Sequence, residues 1–329
     1  MKETYNIFGK MVVIEFFPPF SQPQIEIVKE QFKAYSVQST LSKPDVKVNI
    51  GKLTERDTAL SVNPSLHHDY SNGFQSKYPK LTVEIIKDQT LTANLILEAK
   101  KNPLINYLKK LNNIQYCTIE ERITQVLYEL VLVPLVYFDK SKFLVHSSAF
   151  KRKTGGAVLI GGTGGVGKTS LEIELCMNRG YSFIADDISV VDNQANIWPN
   201  LSYPKIYSYN LKNNNKLKNR IFRNRTFWDK MAWRFKLMMN GPSGVRRTIS
   251  PIEAYGSWET KKNKIDKYYI LIKRNVEKIS VVKINGRKAA EMSLSVMQAE
   301  YYSFNNHILW HDFNSKALNK QPILNLNEV

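Results

Sequence analysis

Apolar residues in the first third of the chain fall into two rhythms. Met11 to Phe17 is a strand-like run closed by Pro18 and Pro19. Ile25, Val28 and Phe32 instead recur at helical spacing within Gln24 to Tyr35. Leu81 to Ile86 and Thr90 to Leu97 alternate as strands about a turn at Lys87-Asp88. Asn63 to Lys80 is polar and carries two prolines and Gly73, so a loop is predicted there. The middle third alternates helix and strand. A helix is predicted from Thr118 to about Val133, ending near Pro134, then a strand around Phe143 to Ala149. A turn at Lys151 to Gly155 leads to a strand at Ala157 to Ile160, a helix at Lys168 to Asn178 and a strand at Tyr181 to Val191. Farther on, Tyr268 to Lys273 and Lys278 to Ile284 read as strands and Ala289 to Tyr302 as a helix. The order predicts an α/β protein. A smaller α+β domain covers residues 1–110, and a larger domain covers 111–329 with a basic insertion around 205–247.

Composition narrows the class. Hydrophobic residues at 43% and charged residues at 23% suit a folded, soluble chain. Cys117 and Cys176 are far apart and match no metal or disulfide spacing, which points to a reducing compartment. The first ten residues lack an apolar run, so no signal peptide is expected. The most apolar stretch, Ile123 to Phe138, falls short of the ~20 residues that cross a bilayer. A cytoplasmic protein is therefore expected. The net charge of +18 is compatible with an acidic partner or nucleic acid, and equally with a lysine-rich solvated surface.

The chemistry concentrates in one segment. Gly162-Thr163-Gly164-Gly165-Val166-Gly167-Lys168-Thr169 fits G-x-x-x-x-G-K-[ST] at each fixed position. Glycines let backbone N–H groups turn toward phosphate oxygens, and the following helix offers its unpaired amide end to the same anions. Lys168 adds a full charge, and the Thr169 hydroxyl suits Mg²⁺. The nucleotide contacts are assigned to Gly162 through Ser170. Downstream, the apolar run Ser182 to Ala185 ends in Asp186-Asp187, a carboxylate pair suited to a metal ligand and a base. His146 ends the run Phe143 to Val145. On its own, a strand histidine is more often a hydrogen-bonded core residue. The adjacent His67 and His68 read as a loop feature, and His307 and His311 as neighbours on one helix face, with no zinc pattern at either.

In order and spacing, three blocks resemble the HPr kinase family. They are Leu144-Val145-His146-Ser147-Ser148-Ala149, the stretch Ala157 through Thr169, and Arg179 through Asp187. The likeness covers about residues 125–192. It implies a P-loop domain with a mixed sheet, of the kind shared with ATP-dependent phosphoenolpyruvate carboxykinases. It also implies roles: His146 contacts the catalytic aspartate, Lys168 and the loop hold ATP, Thr169 and Asp186 hold Mg²⁺, and Asp187 accepts the substrate proton. The sequence departs from the family at Gly164, where the kinase carries serine. The family's E-x-R-G-x-G segment is also absent, since the chain reads Trp198-Pro199-Asn200-Leu201-Ser202-Tyr203-Pro204-Lys205 instead. HPr is therefore not the expected substrate. The resemblance implies an ATP-dependent kinase of a hydroxyl group, with serine or threonine of a peptide or protein as acceptor.

Lys212 to Lys236 holds nine basic residues and one acid, Asp229, interleaved with Phe222, Phe227, Trp228, Trp233 and Phe235. An acidic peptide or nucleic acid fits this chemistry. The helical spacing of Trp228, Met231, Phe235 and Met238 fits packing on the body equally well. Arg246-Arg247 read either as an exposed turn or as groups reaching a transferring phosphoryl. Kinase action on a nucleic acid or small anionic metabolite, a non-catalytic nucleotide-binding module, and a homo-oligomer are the alternatives that the sequence leaves open.

Overall fold

The amino-terminal rhythms build one sheet in the computed structural model, which describes residues 1–37, 43–54, 59–79, 81–97, 115–116, 119–223 and 225–324. Lys2–Ile7 (β1) and Lys10–Phe16 (β2) form an antiparallel hairpin. Gln22–Phe32 (α1) starts where the Ser21 N–H donates to Gln24 Oε1 at 3.1 Å. Val46–Ile50 (β3) then returns parallel to β2. Ser61–Val62 (β4), His67–Tyr70 (β5), Gly73–Tyr78 (β6), Leu81–Lys87 (β7) and Leu91–Leu97 (β8) complete an eight-stranded mixed sheet. Its order is β1-β2-β3-β8-β7-β6-β5-β4. The expected loop at 63–80 thus carries two strands, apart from Lys80, which lies outside the described residues. Their inward side chains include His67, Asp69 and Ser76, all buried, so the strands bury polar atoms and lack an apolar alternation.

Ile119–Leu127 (α2) runs on through a π turn at Tyr128–Leu132 and a helical step at Val133–Leu135. Its predicted start, Thr118, and Cys117 lie outside the described residues. The α-helix ends at Leu135, one residue past Pro134, and a short 3-10 turn at Val136–Phe138 follows. Described residues within 1–101, 123–141 and 301–329 form one compact unit, and those within 102–122 and 142–300 form another. The expected cut at residue 110 lies outside the described residues. Two segments expected in the second domain, 123–141 and 301–329, belong to the first unit. There Phe32 stacks on Tyr128 at 4.9 Å.

The second unit is also a mixed sheet. Lys142–Val145 (β9) and Ser147–Lys151 (β10) replace the single strand expected across His146. Ala157–Gly161 (β11) leads into the glycine loop and Lys168–Asn178 (α3). Ser182–Ala185 (β12) and Ser189–Asp192 (β13) are separate strands, followed by Asn196–Trp198 (β14) and Lys205–Tyr207 (β15). Asn215–Phe222 (α4) and Phe227–Asn240 (α5) carry the basic segment. Arg246–Thr248 (β16) pairs with β15, and Pro251–Tyr255 (α6) and Asn263–Ile270 (β17) follow. The seven-stranded order is β12-β10-β11-β17-β14-β13-β9. Leu159, Ile184, Ala149 and Ile197 pack at its centre. The strand expected at Lys278 to Ile284 is not formed: Leu271 to Asn285 has no regular structure, and Ile279 is 97% exposed. Gly286–Glu300 (α7) and Tyr302–Ala317 (α8) divide at the point where one helix was expected to end. Among the described residues, no helix is long and apolar enough to cross a membrane.

In the first unit, α8 meets β5 through a buried histidine network. Asp69 accepts a hydrogen bond from His311 Nδ1 at 2.6 Å and one from the Asn314 amide. His67 Nε2 lies 3.1 Å from the same carboxylate, and His67 Nδ1 lies 3.2 Å from His307 Nδ1. The Ile323 N–H donates to His311 Nε2 at 2.9 Å, which fixes that ring as the neutral Nδ1–H tautomer. Among the described residues, no group of three or more His, Cys, Asp or Glu is arranged to hold a metal. Three of the four histidines noted in the sequence serve this network. Burial, with His67 alongside, lowers His307 to about 3. Burial opposes ionisation of Asp69, yet hydrogen bonds from His311 and Asn314, with His67 beside the carboxylate, hold its carboxyl well below the usual range. Below its ordinary value of 6.5, His307 takes up a proton in the unfolded chain but not in the folded one. Its contribution to stability is therefore lost as pH falls from 6.5 toward about 3. The urea midpoint of the first unit is expected to fall between pH 7 and pH 5, and His307→Phe to flatten that slope whatever it does to the midpoint at pH 7.

Candidate active site

The sheet register gathers the chemistry. β10 runs antiparallel to both β11 and β12, with Ser147 opposite Gly161 and Ala149 opposite Ala185. The ends of β11 and β12 therefore lie beside the start of β10. His146, Gly162 and Asp186 follow from those three ends onto one edge of the sheet. The glycine loop then turns on residues that need left-handed backbone: Gly162 has φ +132° and Gly167 φ +106°. A Cβ on Gly162 would stand 2.7 Å from the Leu271 carbonyl oxygen. Around Gly165 and Gly167 nothing lies within 4 Å of such an atom, so the loop face is open.

Lys168 is buried at the first turn of α3. Its ammonium donates to the carbonyls of Gly162 at 2.7 Å and Thr163 at 2.9 Å. Burial lowers its pKa, opposed by Asp187, Asp186 and Glu300. Thr169 and Val166 are half-buried, while Thr163, Gly164 and Gly165 are exposed. Ser170 accepts from the Asn210 amide at 2.9 Å, which ties the start of the basic insertion to α3.

The two aspartates occupy different environments. Asp186 is buried and accepts from the Ser148 hydroxyl at 2.9 Å. Burial first, and Asp187 second, raise it to about 6. Behind it Glu172, fully buried one turn along α3 from Lys168, accepts from the Tyr255 hydroxyl at 2.6 Å. Burial and Asp186 push Glu172 well above the usual carboxylate range. Asp187 has φ +62°, and its side chain is 42% exposed. Its carboxylate meets Lys205 Nζ at 3.1 Å. Burial opposes its ionisation, but Lys205 and His146 reverse the balance and hold it below its ordinary value. His146 is half-buried, and burial with Lys168 lowers its pKa against the opposite pull of Asp187 and Glu300. At neutral pH the imidazole is uncharged.

Sequence reasoning missed four members of this group. Lys205 stands in the segment set aside for lacking the family pattern. Ser148 and Glu172 carry only local signals, a hydroxyl and an acid inside apolar elements. Glu300 carries none: it ends α7, and the Gly164 N–H donates to its Oε1 at 2.7 Å across 136 positions. Arg247, by contrast, is buried in a pair with Asp229 and does not serve the site. Arg246 donates to Gln115 at 3.0 Å and to the Tyr207 hydroxyl at 2.9 Å.

A ligand phosphate at the Gly164 amide has to displace Glu300. Removing the charge in Glu300→Gln weakens this charge-assisted hydrogen bond by about 1 kcal/mol. Nucleotide affinity, read by calorimetry, is expected to rise about three- to tenfold; equal or lower affinity would exclude competition by this carboxylate. In comparisons with known proteins, no family model matches the chain, and no curated protein matches it.

Proposed function

We propose that the chain is a Mg²⁺-dependent ATP phosphotransferase with an HPr kinase-like P-loop domain, acting on a serine or threonine hydroxyl of a peptide or protein. The reading rests on one juxtaposition: the glycine loop with Lys168, His146 and the Asp186-Asp187 pair share one sheet edge. The Glu300 carboxylate at the Gly164 amide supports it, because the loop already accepts an anion there. The oxygen donors of Thr169 and Asp186 fit a hard divalent cation, which would neutralise charge on the phosphates when bound.

In this reading the loop amides and Lys168 hold and orient the triphosphate. The acceptor oxygen attacks the terminal phosphorus as the bond to the β-bridging oxygen breaks. The hydroxyl proton passes to Asp187, and nucleoside diphosphate leaves. Lys205, 3.1 Å from its Oδ2, holds the Asp187 carboxylate ionised and aimed. The test is transfer from γ-labelled ATP, with Mg²⁺, onto peptides and proteins of a native extract. Label stable on serine or threonine, and absent with Lys168→Ala, is the expected result. A protein that binds nucleotide tightly and labels nothing would be a nucleotide-binding module, and the reading would fail.

A further inference from the structure

On α5, Phe227, Trp228, Met231, Phe235, Met238 and Met239 are exposed, four of them between 66% and 75%. The spacing that suggested packing on the body instead faces outward. At 3.6 residues per turn the six fall within about 120° of the helix circumference. Trp233 and Asp229 lie on the opposite side and anchor the helix. Trp233 is buried, and the Arg247 guanidinium lies 4.9 Å from its ring, 5.0 Å from that of Phe222 and 2.6 Å from Asp229 Oδ2. The inner face is thus packed against Arg247, and the outer apolar face is presented by an anchored helix.

Charge is one-sided around it. Asp229 is the only acid between Asp192 and Glu253, and Arg247 neutralises it. Lys230 and Arg234 are exposed on the flank of the arc, and Lys212, Lys216, Lys218 and Arg223 are exposed before it.

We propose that α5 is an interfacial helix that docks the protein on an anionic lipid surface. The six side chains stand exposed on one side of a helix, whereas a partner helix or peptide is held by recessed apolar grooves. Half of the arc is methionine, which offers no ring for base stacking, so nucleic acid would leave it unused. Large apolar groups on one face with flanking lysine and arginine are what an amphipathic helix needs to lie in the headgroup region. The proposal is independent of the phosphotransferase reading.

The test is sedimentation of the full-length protein with vesicles of phosphatidylcholine, with and without phosphatidylserine. Binding is expected only with phosphatidylserine, falling as salt rises. The double variant Trp228→Ser, Phe235→Ser is expected to lose about tenfold or more of it, while keeping its unfolding midpoint, since both positions are exposed. Brominated lipid should quench tryptophan emission in the native protein and much less in Trp228→Phe. Equal binding by the serine variant would reduce the contact to charge alone and overturn the proposal, as would no binding. A native dimer that the serine variant dissolves would make the face an interface between copies. RNA binding lost in the same variant would make it a nucleic-acid surface. Either result overturns lipid docking.

Discussion

Asp187→Asn is expected to lower phosphoryl transfer by about 10²–10⁴-fold and to leave nucleotide affinity almost unchanged. The substitution suits the position. Asparagine adopts left-handed backbone with little cost, so the turn at φ +62° persists. The amide is isosteric with the carboxylate, and the ion pair to Lys205 becomes a weaker hydrogen bond. What disappears is the proposed proton acceptor. Single-turnover transfer, with nucleotide affinity measured separately, divides the two effects. A parallel loss of binding would place Asp187 on the nucleotide. Unchanged transfer would move the base to Asp186, whose raised pKa also suits an acceptor. The sign for Asp187 is fixed: Lys205 and His146 hold it low, so it is ionised through the neutral range, and transfer falls in acid as it is protonated.

Strand, loop and helix from Ala157 to Asn178 were legible because every cue there is local: apolar run, glycines, helix start. The breaks on either side were not. Phe143 to Ala149 and Tyr181 to Val191 read as continuous strands. Yet His146 and the Asp186-Asp187 pair interrupt them, and each half pairs with a different neighbour. The interruption is what turns these side chains into a site. At Lys278 to Ile284 the β-branched alternation expresses a preference that needs an adjacent strand to form a ladder, and no strand lies beside it among the described residues. On α5, helical periodicity identified a face but not its direction. One buried tryptophan and one buried arginine decide which side turns inward, and the arginine comes from a strand beyond the helix. Glu300 and the His67–Asp69–His311 network depend on pairings across 136 to 242 positions, beyond any local pattern.

The second large effect concerns stability. Asp229→Ala is expected to destabilise the second unit by about 3–5 kcal/mol, since it leaves a buried guanidinium without its counter-ion. Arg247 is 0% exposed, whereas the Asp229 side chain keeps 24% of its surface in water. The burden of desolvation therefore falls on the cation. The rings of Phe222 and Trp233 recover part of it, but only the carboxylate at 2.6 Å supplies a full opposite charge. Lysine at this position would not substitute, because its ammonium lacks the planar face that lies against the two rings. The double variant Asp229→Ala, Arg247→Met removes charge and counter-charge together and fills the space between the rings. It is expected to recover most of the loss. Urea midpoints, with unchanged slopes, measure both variants. If Asp229→Ala costs less than about 1 kcal/mol, the pair behaves as a surface contact, and the rings alone hold α5 to the sheet.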